Sequence, residues 1–337
     1  MSAMVPLVAA VALLQPMADR HSVTILPEAW ERKPLADGRV EFTQSVSRAF
    51  DQAILSWNLE SGWASADYSL TAFGDGWRSA DYRWGTWFAG GGSVSVKGQP
   101  DDHGRVDTDT LVLRRPAGGL TVRVVATPRS RSSVPSSPGL VAVALSLMSR
   151  HERAAAPFGG VARVIEVPRR AQMAYPNGGV LCSPTATSMV LGHWARVLRT
   201  PFVDRDMPLV QRGVYDAVYR GCGNWSFNAA YAGSVPGMHA VVGRFNDLAD
   251  LERCIAAGFP VVCSISNTVV KGQPPEPNDG HLVVLVGFDE SGRPVFNDPG
   301  RNVVRMTYER ENFRKAWATS DNTVYLIWPI GYTPPWL

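Results

Sequence analysis

The chain has 337 residues, 45% of them hydrophobic and 19% charged, with a formal net charge of +3. That length suggests about two domains, each long enough for a real core. The small net charge, with no basic run or basic–aromatic repeat, argues against nucleic acid as a partner.

Residues 5–14 (VPLVAAVALL) form a short apolar run, too short to cross a bilayer as a helix. It is like the apolar core of a secretory signal, although no Lys or Arg precedes it and no small-x-small cleavage site follows. Residues 1–20 are therefore read as a signal segment. The protein is expected to be secreted or at the cell surface, with a cytoplasmic location as the alternative, and no transmembrane segment is expected.

Residues 40–149 read as all-β. Short runs such as Ala53-Ile54-Leu55-Ser56-Trp57 and Thr121-Val122-Arg123-Val124-Val125 are separated by turn clusters such as Gly74-Asp75-Gly76 and Gly90-Gly91-Gly92. Many short strands with turn signals between them predict a β-sandwich or jelly roll. Trp57, Trp63, Trp77, Trp84 and Trp87 crowd into this domain. Core packing is the favoured reading of them. A face that stacks on wall sugars or holds peptides is the alternative.

Residues 150–162 contain Ala154-Ala155-Ala156-Pro157 and Gly159-Gly160 and read as an interdomain linker. The domains on either side are expected to fold separately. In residues 163–337, helical patterns lie near 182–198, 209–219 and 246–257, the last with Asn246 or Asp247 as cap and Gly258 as stop. Near-continuous apolar runs at 261–265 and 281–288 read as central strands, and 294–298 and 323–328 add further ones. Helices followed by an antiparallel sheet predict an α+β domain.

Four cysteines, Cys182, Cys222, Cys254 and Cys263, lack a Cys-x-x-Cys spacing, so neither a disulfide framework nor a zinc site is expected, and no cofactor is implied. Whether two of the last three are paired stays open, although Cys254 and Cys263 fall in core-like runs. Cys182 differs. Gly178-Gly179 leads into it, and Ser183-Pro184 reads as a helix start, with Ser as a capping oxygen and Pro at an early position. Residues Ala186, Met189, Val190, Trp194, Val197 and Leu198 recur at roughly helical spacing, which predicts a helix with one buried face. A cysteine at a helix N-terminus meets unpaired N–H groups and the positive end of the macrodipole, both of which favour a thiolate.

His281 opens the most buried-looking strand, and the turn Asp289-Glu290-Ser291-Gly292-Arg293 should fold residues 295–298 back beside it. A simple register places His281 opposite Gly300 or Arg301, a short step past Asp298, with a bulge or bend to close the gap. Cys182 as nucleophile, His281 as base and acid and Asp298 as orienting carboxylate make a cysteine-hydrolase triad. Gln172 is the only Gln between Gln99 and Cys182 and is the candidate side-chain donor to the oxyanion.

Gln172-Met173, Cys182-Ser183-Pro184-Thr185, Asp279-Gly280-His281 and the run after it, and Asn297-Asp298-Pro299 resemble the papain-like cysteine peptidases. The nearest group is the one similar to bacteriocin-leader peptidases, cysteine-peptidase family thirty-nine. The likeness covers residues 160–330. The stretches Ile54-Leu55-Ser56-Trp57-Asn58 and Gly104-Arg105-Val106-Asp107-Thr108-Asp109-Thr110-Leu111 resemble the β-rich N-terminal domain of secreted bacterial members. The resemblance implies a peptidase or amidase with Cys182, His281, Asp298 and Gln172 in the roles above, acting on a peptide or protein through an acyl-enzyme. It also implies that residues 174–180 are an insertion between Gln172 and Cys182. Two other functions use the same chain: an acyl transferase with the same triad, and a non-catalytic surface-binding protein with a vestigial site.

Overall fold

A computed structural model describes residues 19–150 and 156–337. The expected signal segment therefore lies almost wholly outside the described residues, and so does part of the expected linker.

The N-terminal region consists of two antiparallel sheets. One has five strands in the order His21–Ile25, Gly139–Ser146, Phe50–Leu59, Thr110–Ala117, Gly104–Asp107. The other runs from Glu31–Pro34 through Val40–Val46, Gly119–Pro128, Trp63–Gly74 and Tyr82–Phe88 to Val94–Ser95. The first two strands in chain order, His21–Ile25 and Glu31–Pro34, were not legible in the sequence. Their partners, not their own alternation, make them strands. Trp57 of one sheet stacks on Tyr68 of the other at 4.0 Å, and both lie in one core. Trp57, Trp63, Trp84 and Trp87 are buried there, so packing accounts for four of the five tryptophans.

The C-terminal region contains helices α1 (Cys182–Leu198), α2 (Met207–Val214), α3 (Trp225–Ser234), α4 (Leu248–Ala256) and α5 (Arg310–Ala318). They surround an antiparallel sheet ordered Met238–Arg244, Thr323–Pro329, Val261–Ser266, Gly280–Phe288, Pro294–Asn297, Arg305–Thr307. Helix α4 has the expected Asp247 cap in a full capping box, and Gly258 (φ +87°) stops it in the left-handed region. Helices α3 and α5 and the strand Met238–Arg244 were missed. Helix α3 is apolar or small on nearly every side, so it carries no amphipathic period.

Two expectations about α1 need correction. Its N-cap is Leu181, with no side-chain cap, and the Ser183 hydroxyl instead bonds the Tyr325 hydroxyl at 2.9 Å inside the domain. The helix is also not amphipathic: every residue from Ser183 to Ala195 is buried. Over that stretch it packs against the sheet on one side and against α2 and α3 on others, while Cys182, Arg196 and Val197 at its ends reach the surface, Val197 against expectation.

The two regions contribute residues to each other's cores. Ile54, Ala142 and Ala144 belong to the C-terminal core, while Phe227 and Ala230 belong to the N-terminal one. The strand Met238–Arg244 pairs with Thr323–Pro329 along one edge only. Along its other edge, Asn58 donates to the Ala240 carbonyl (2.6 Å) and accepts from the Ala240 N–H (2.9 Å), and Ser56 Oγ accepts from the Val242 N–H (3.1 Å). The side chains of Ser56 and Asn58 thus cover a sheet edge that would otherwise present bare backbone.

Candidate active site

Helix α1 begins at Cys182 because two 3-10 turns, Gln172–Ala174 and Gly178–Val180, fold the preceding chain back on itself. Gly178 fits against this fold only without a side chain, since a Cβ there would lie 2.5 Å from the Gln172 carbonyl oxygen. Cys182 is half-buried at the helix start, where the first-turn N–H groups have no intrahelical partner.

His281 is buried near the start of the strand Gly280–Phe288. Val284 pairs with Asn297 and Leu285 with Phe296, and the ladder ends there. A bulge lies between Leu285 and Gly287, and the strands part before the expected pairing of His281 with Gly300 or Arg301. After Asn297 the chain turns back, with the Asp298 N–H bonded to the Val304 carbonyl, and this bend carries Asp298 to the imidazole. His281 Nε2 and Asp298 Oδ1 are 2.6 Å apart. A carboxylate can only accept, so Nε2 carries the proton and the other ring nitrogen is left for Cys182. Gly300 closes over the ring, and a Cβ there would sit 3.1 Å from His281 Cε1.

Asp298 is completely buried and fully satisfied. Oδ1 also accepts from the Gly300 N–H (2.9 Å), and Oδ2 accepts from the Tyr308 hydroxyl (2.5 Å) and Arg301 Nε (3.1 Å). Arg301 is itself held by Asn267 Oδ1 at 2.8 Å. Tyr308 and Arg301 were not found in the sequence. Neither belongs to a motif, and only the bend after Asn297 brings them to Asp298.

The electrostatics follow from this geometry. Burial alone would raise the Asp298 pKa, but the hydrogen bond and charge of His281, with Tyr308 and Arg301, bring it down to about 2. Burial alone would lower that of His281, but Asp298 and Cys182 raise it to about 9. For Cys182 burial again opposes the thiolate. His281, by hydrogen bonding and by charge, and the N–H groups of Leu282 and Ser183 outweigh it and lower the thiol pKa. Cys222 is pushed the other way, to about 11, by burial and then by Cys182, and burial also raises Cys254 and Cys263. All four cysteines are free thiols, and Cys182 is the one whose surroundings favour the anion.

Gln172 lies at the same end of the domain. Its N–H bonds the carbonyl of Pro299, the residue after Asp298, at 2.9 Å. Its side-chain Nε2 donates to the Gly178 carbonyl at 2.7 Å, which uses one of its two hydrogens, and Oε1 is buried without a partner. The loop of residues 174–180 is therefore closed by the Gln172 side chain itself.

No group of His, Cys, Asp and Glu among the described residues is arranged to hold a metal, and no helix among them is long and apolar enough to cross a membrane. Residues 164–325 match the family described as Peptidase_C39 like, and residues 40–145 match the Peptidase C39 N-terminal domain. No curated protein matches the chain. A crystal structure from Bacillus anthracis, described as a C39-like peptidase, is similar at 19% identity over 49% of this chain and 96% of that one, with a TM-score of 0.36.

Proposed function

We propose that this chain, whose residues 164–325 belong to the Peptidase_C39 like family behind a Peptidase C39 N-terminal domain, is a cysteine peptidase or amidase working through Cys182, His281 and Asp298. The observation that carries this reading is that Cys182, alone of four thiols, has its pKa lowered, and by a histidine bonded to a buried carboxylate. The finer fold reading, a β-sandwich followed by a papain-like α+β domain, is supported by the two sheets around Trp57 and Tyr68 and by α1 set against the antiparallel sheet.

The Cys182 thiolate attacks the carbonyl carbon of the scissile bond, and the carbon–sulfur bond forms as negative charge moves to the substrate oxygen. Donors aimed at that oxygen lower the barrier more than they stabilise the bound substrate. The Cys182 N–H is one such donor and the unused Gln172 Nε2 hydrogen is the second. His281 gives its proton to the departing amine as the carbon–nitrogen bond breaks, leaving a thioester. It then takes a proton from water, whose oxygen attacks the thioester and regenerates the thiol. Asp298 keeps the ring in the required tautomer throughout. A location outside the cytoplasm is carried by residues 5–14 alone.

The test is a peptide-library digest by the parent and by Cys182→Ala, with labelling by iodoacetamide at neutral pH. Cleavage that needs Cys182, with Cys182 labelled ahead of the other three thiols, is the expected result. Products that incorporate an added amine would instead make the enzyme an acyl transferase. A parent that cuts nothing and labels no faster than a free thiol would overturn the reading.

A further inference from the structure

The N-terminal domain bonds to the loop between α2 and α3, which packs beside the residue preceding Cys182. Residues 215–224, between α2 and α3, fold around the completely buried Asp216. Its Oδ1 accepts from the N–H groups of Val218 (3.0 Å) and Tyr219 (3.2 Å), and also from the Ser95 N–H of the N-terminal domain (3.1 Å). Its Oδ2 accepts from Asn224 Nδ2 at 3.1 Å. Asp109, in the turn after Gly104–Asp107, crosses to the same place and accepts from the Trp225 N–H at the start of α3 at 2.8 Å. On its far side the loop is tied to the nucleophile. Asn228 Nδ2 donates to the Cys222 carbonyl (2.8 Å), Thr187 of α1 donates to Asn228 Oδ1 (3.3 Å), and Cys222 shares a small apolar cluster with Leu181, the residue before Cys182.

What this loop presents is Tyr219. Its ring lies over the turn at Gly221 and Gly223, where added Cβ atoms would come within 3.0 Å and 3.2 Å of it. Lys97 of the N-terminal domain holds its ammonium 5.9 Å from the ring centroid, and still the side chain is 41% exposed. Burial raises the phenol pKa first, and the charges of Asp109 and Cys182 add to it. The segment leading into Cys182 is exposed and apolar as well, with Val180 69% and Met173 61% exposed. Burying carboxylates such as Asp109 and Asp216 at a domain boundary is costly unless each is fully bonded, and here their bonds fix one loop. Exposed apolar groups near a nucleophile offer a peptide side chain something to pack against.

We propose that Tyr219 is a specificity-determining residue: its ring, set by the N-terminal domain, takes an apolar or aromatic peptide side chain beside the scissile bond. This rests on the peptidase reading above, and Asp109 acts in it as a positioning residue. The experiment uses the full chain and measures Cys182 alkylation by iodoacetamide and by two pairs of peptidyl chloromethyl ketones. One pair carries Phe or Gly next to the reactive ketone, and the other carries the same choice one residue further away. Loss of an apolar contact of this kind changes discrimination by about 10-fold or more. The Phe-over-Gly preference should fall by at least about that factor in Tyr219→Ala in one of the pairs, and Tyr219→Phe should restore it. Asp109→Ala should lower the preference in the same pair, and Asp109→Asn, which keeps an acceptor oxygen, should preserve it. The iodoacetamide rate should be the same throughout. No preference in the parent, or an undiminished one in Tyr219→Ala, would overturn the proposal. An iodoacetamide rate in the parent no higher than that of a free thiol would instead count against the activated cysteine.

Discussion

Replacing Asp298 by Asn tests the electrostatics of the site at their source. The substitution keeps the shape and removes the charge opposite His281 Nε2, where the separation is 2.6 Å. In the parent, burial lowers the His281 pKa, and Asp298 and Cys182 together carry it from 6.5 up to about 9. That is a rise of about 2.5 pH units, and each unit corresponds to about 1.4 kcal/mol. With Asp298 bonded directly to the ring at 2.6 Å, its loss should bring the imidazolium down by at least about one pH unit, on the order of 1–2 kcal/mol. The sign for Cys182 is the opposite. Its thiolate is favoured by the imidazolium, so a weaker imidazolium means a higher thiol pKa. The thiolate–imidazolium pair exists only between the two steps, which belong to the pair rather than to either residue. The pH window of the pair should therefore narrow from both ends. Iodoacetamide alkylation against pH reads the acid side, and NMR titration of the His281 ring reads the alkaline side. An alkaline step that stays near 9 in Asp298→Asn would refute the reasoning.

Further outcomes follow from the same geometry. Cys182→Ser should lose nearly all turnover with an unchanged melt, since serine fits and the activated sulfur is gone. Gln172→Ala should cut kcat by about 10²–10³ while Cys182 alkylates at close to the parent rate, and a kcat within about threefold of the parent would remove Gln172 from the site. Tyr308→Phe deletes a hydrogen bond to a buried carboxylate and should cost about 1.5–3 kcal/mol in denaturant unfolding at neutral pH, because Asp298 is ionised there. The Asp298 pKa lies below its usual 3.8, so its contribution is complete above that value and disappears as pH falls through about 2. Asn58→Ala leaves both the N–H and the carbonyl of Ala240 bare, at about 1–3 kcal/mol each, and a fragment starting near residue 161 should be insoluble or molten. A cooperative melt from that fragment would show that the exposed edge is tolerated.

Much of the C-terminal domain is written locally. The Asp247 cap and Gly258 stop of α4, and the hairpin that folds Pro294–Asn297 back on the strand of His281, each depend on residues within one helix or one hairpin. The sequence by itself therefore marked His281 and Asp298 as neighbours about one hairpin. Only the tertiary structure decided what holds them. Tyr308 and Arg301 reach Asp298 because the chain bends after Asn297, and no periodicity announces that bend. Ser183 looks like a cap but is drawn inward by Tyr325, because α1 is covered on every side. The covering of the Met238–Arg244 edge joins Asn58 to Ala240 across 182 positions, and Asp109 meets Trp225 across 116. A polar side chain in a strand or turn reads as solvent-facing until its partner is known, and partners that far apart are chosen by the packing of whole sheets.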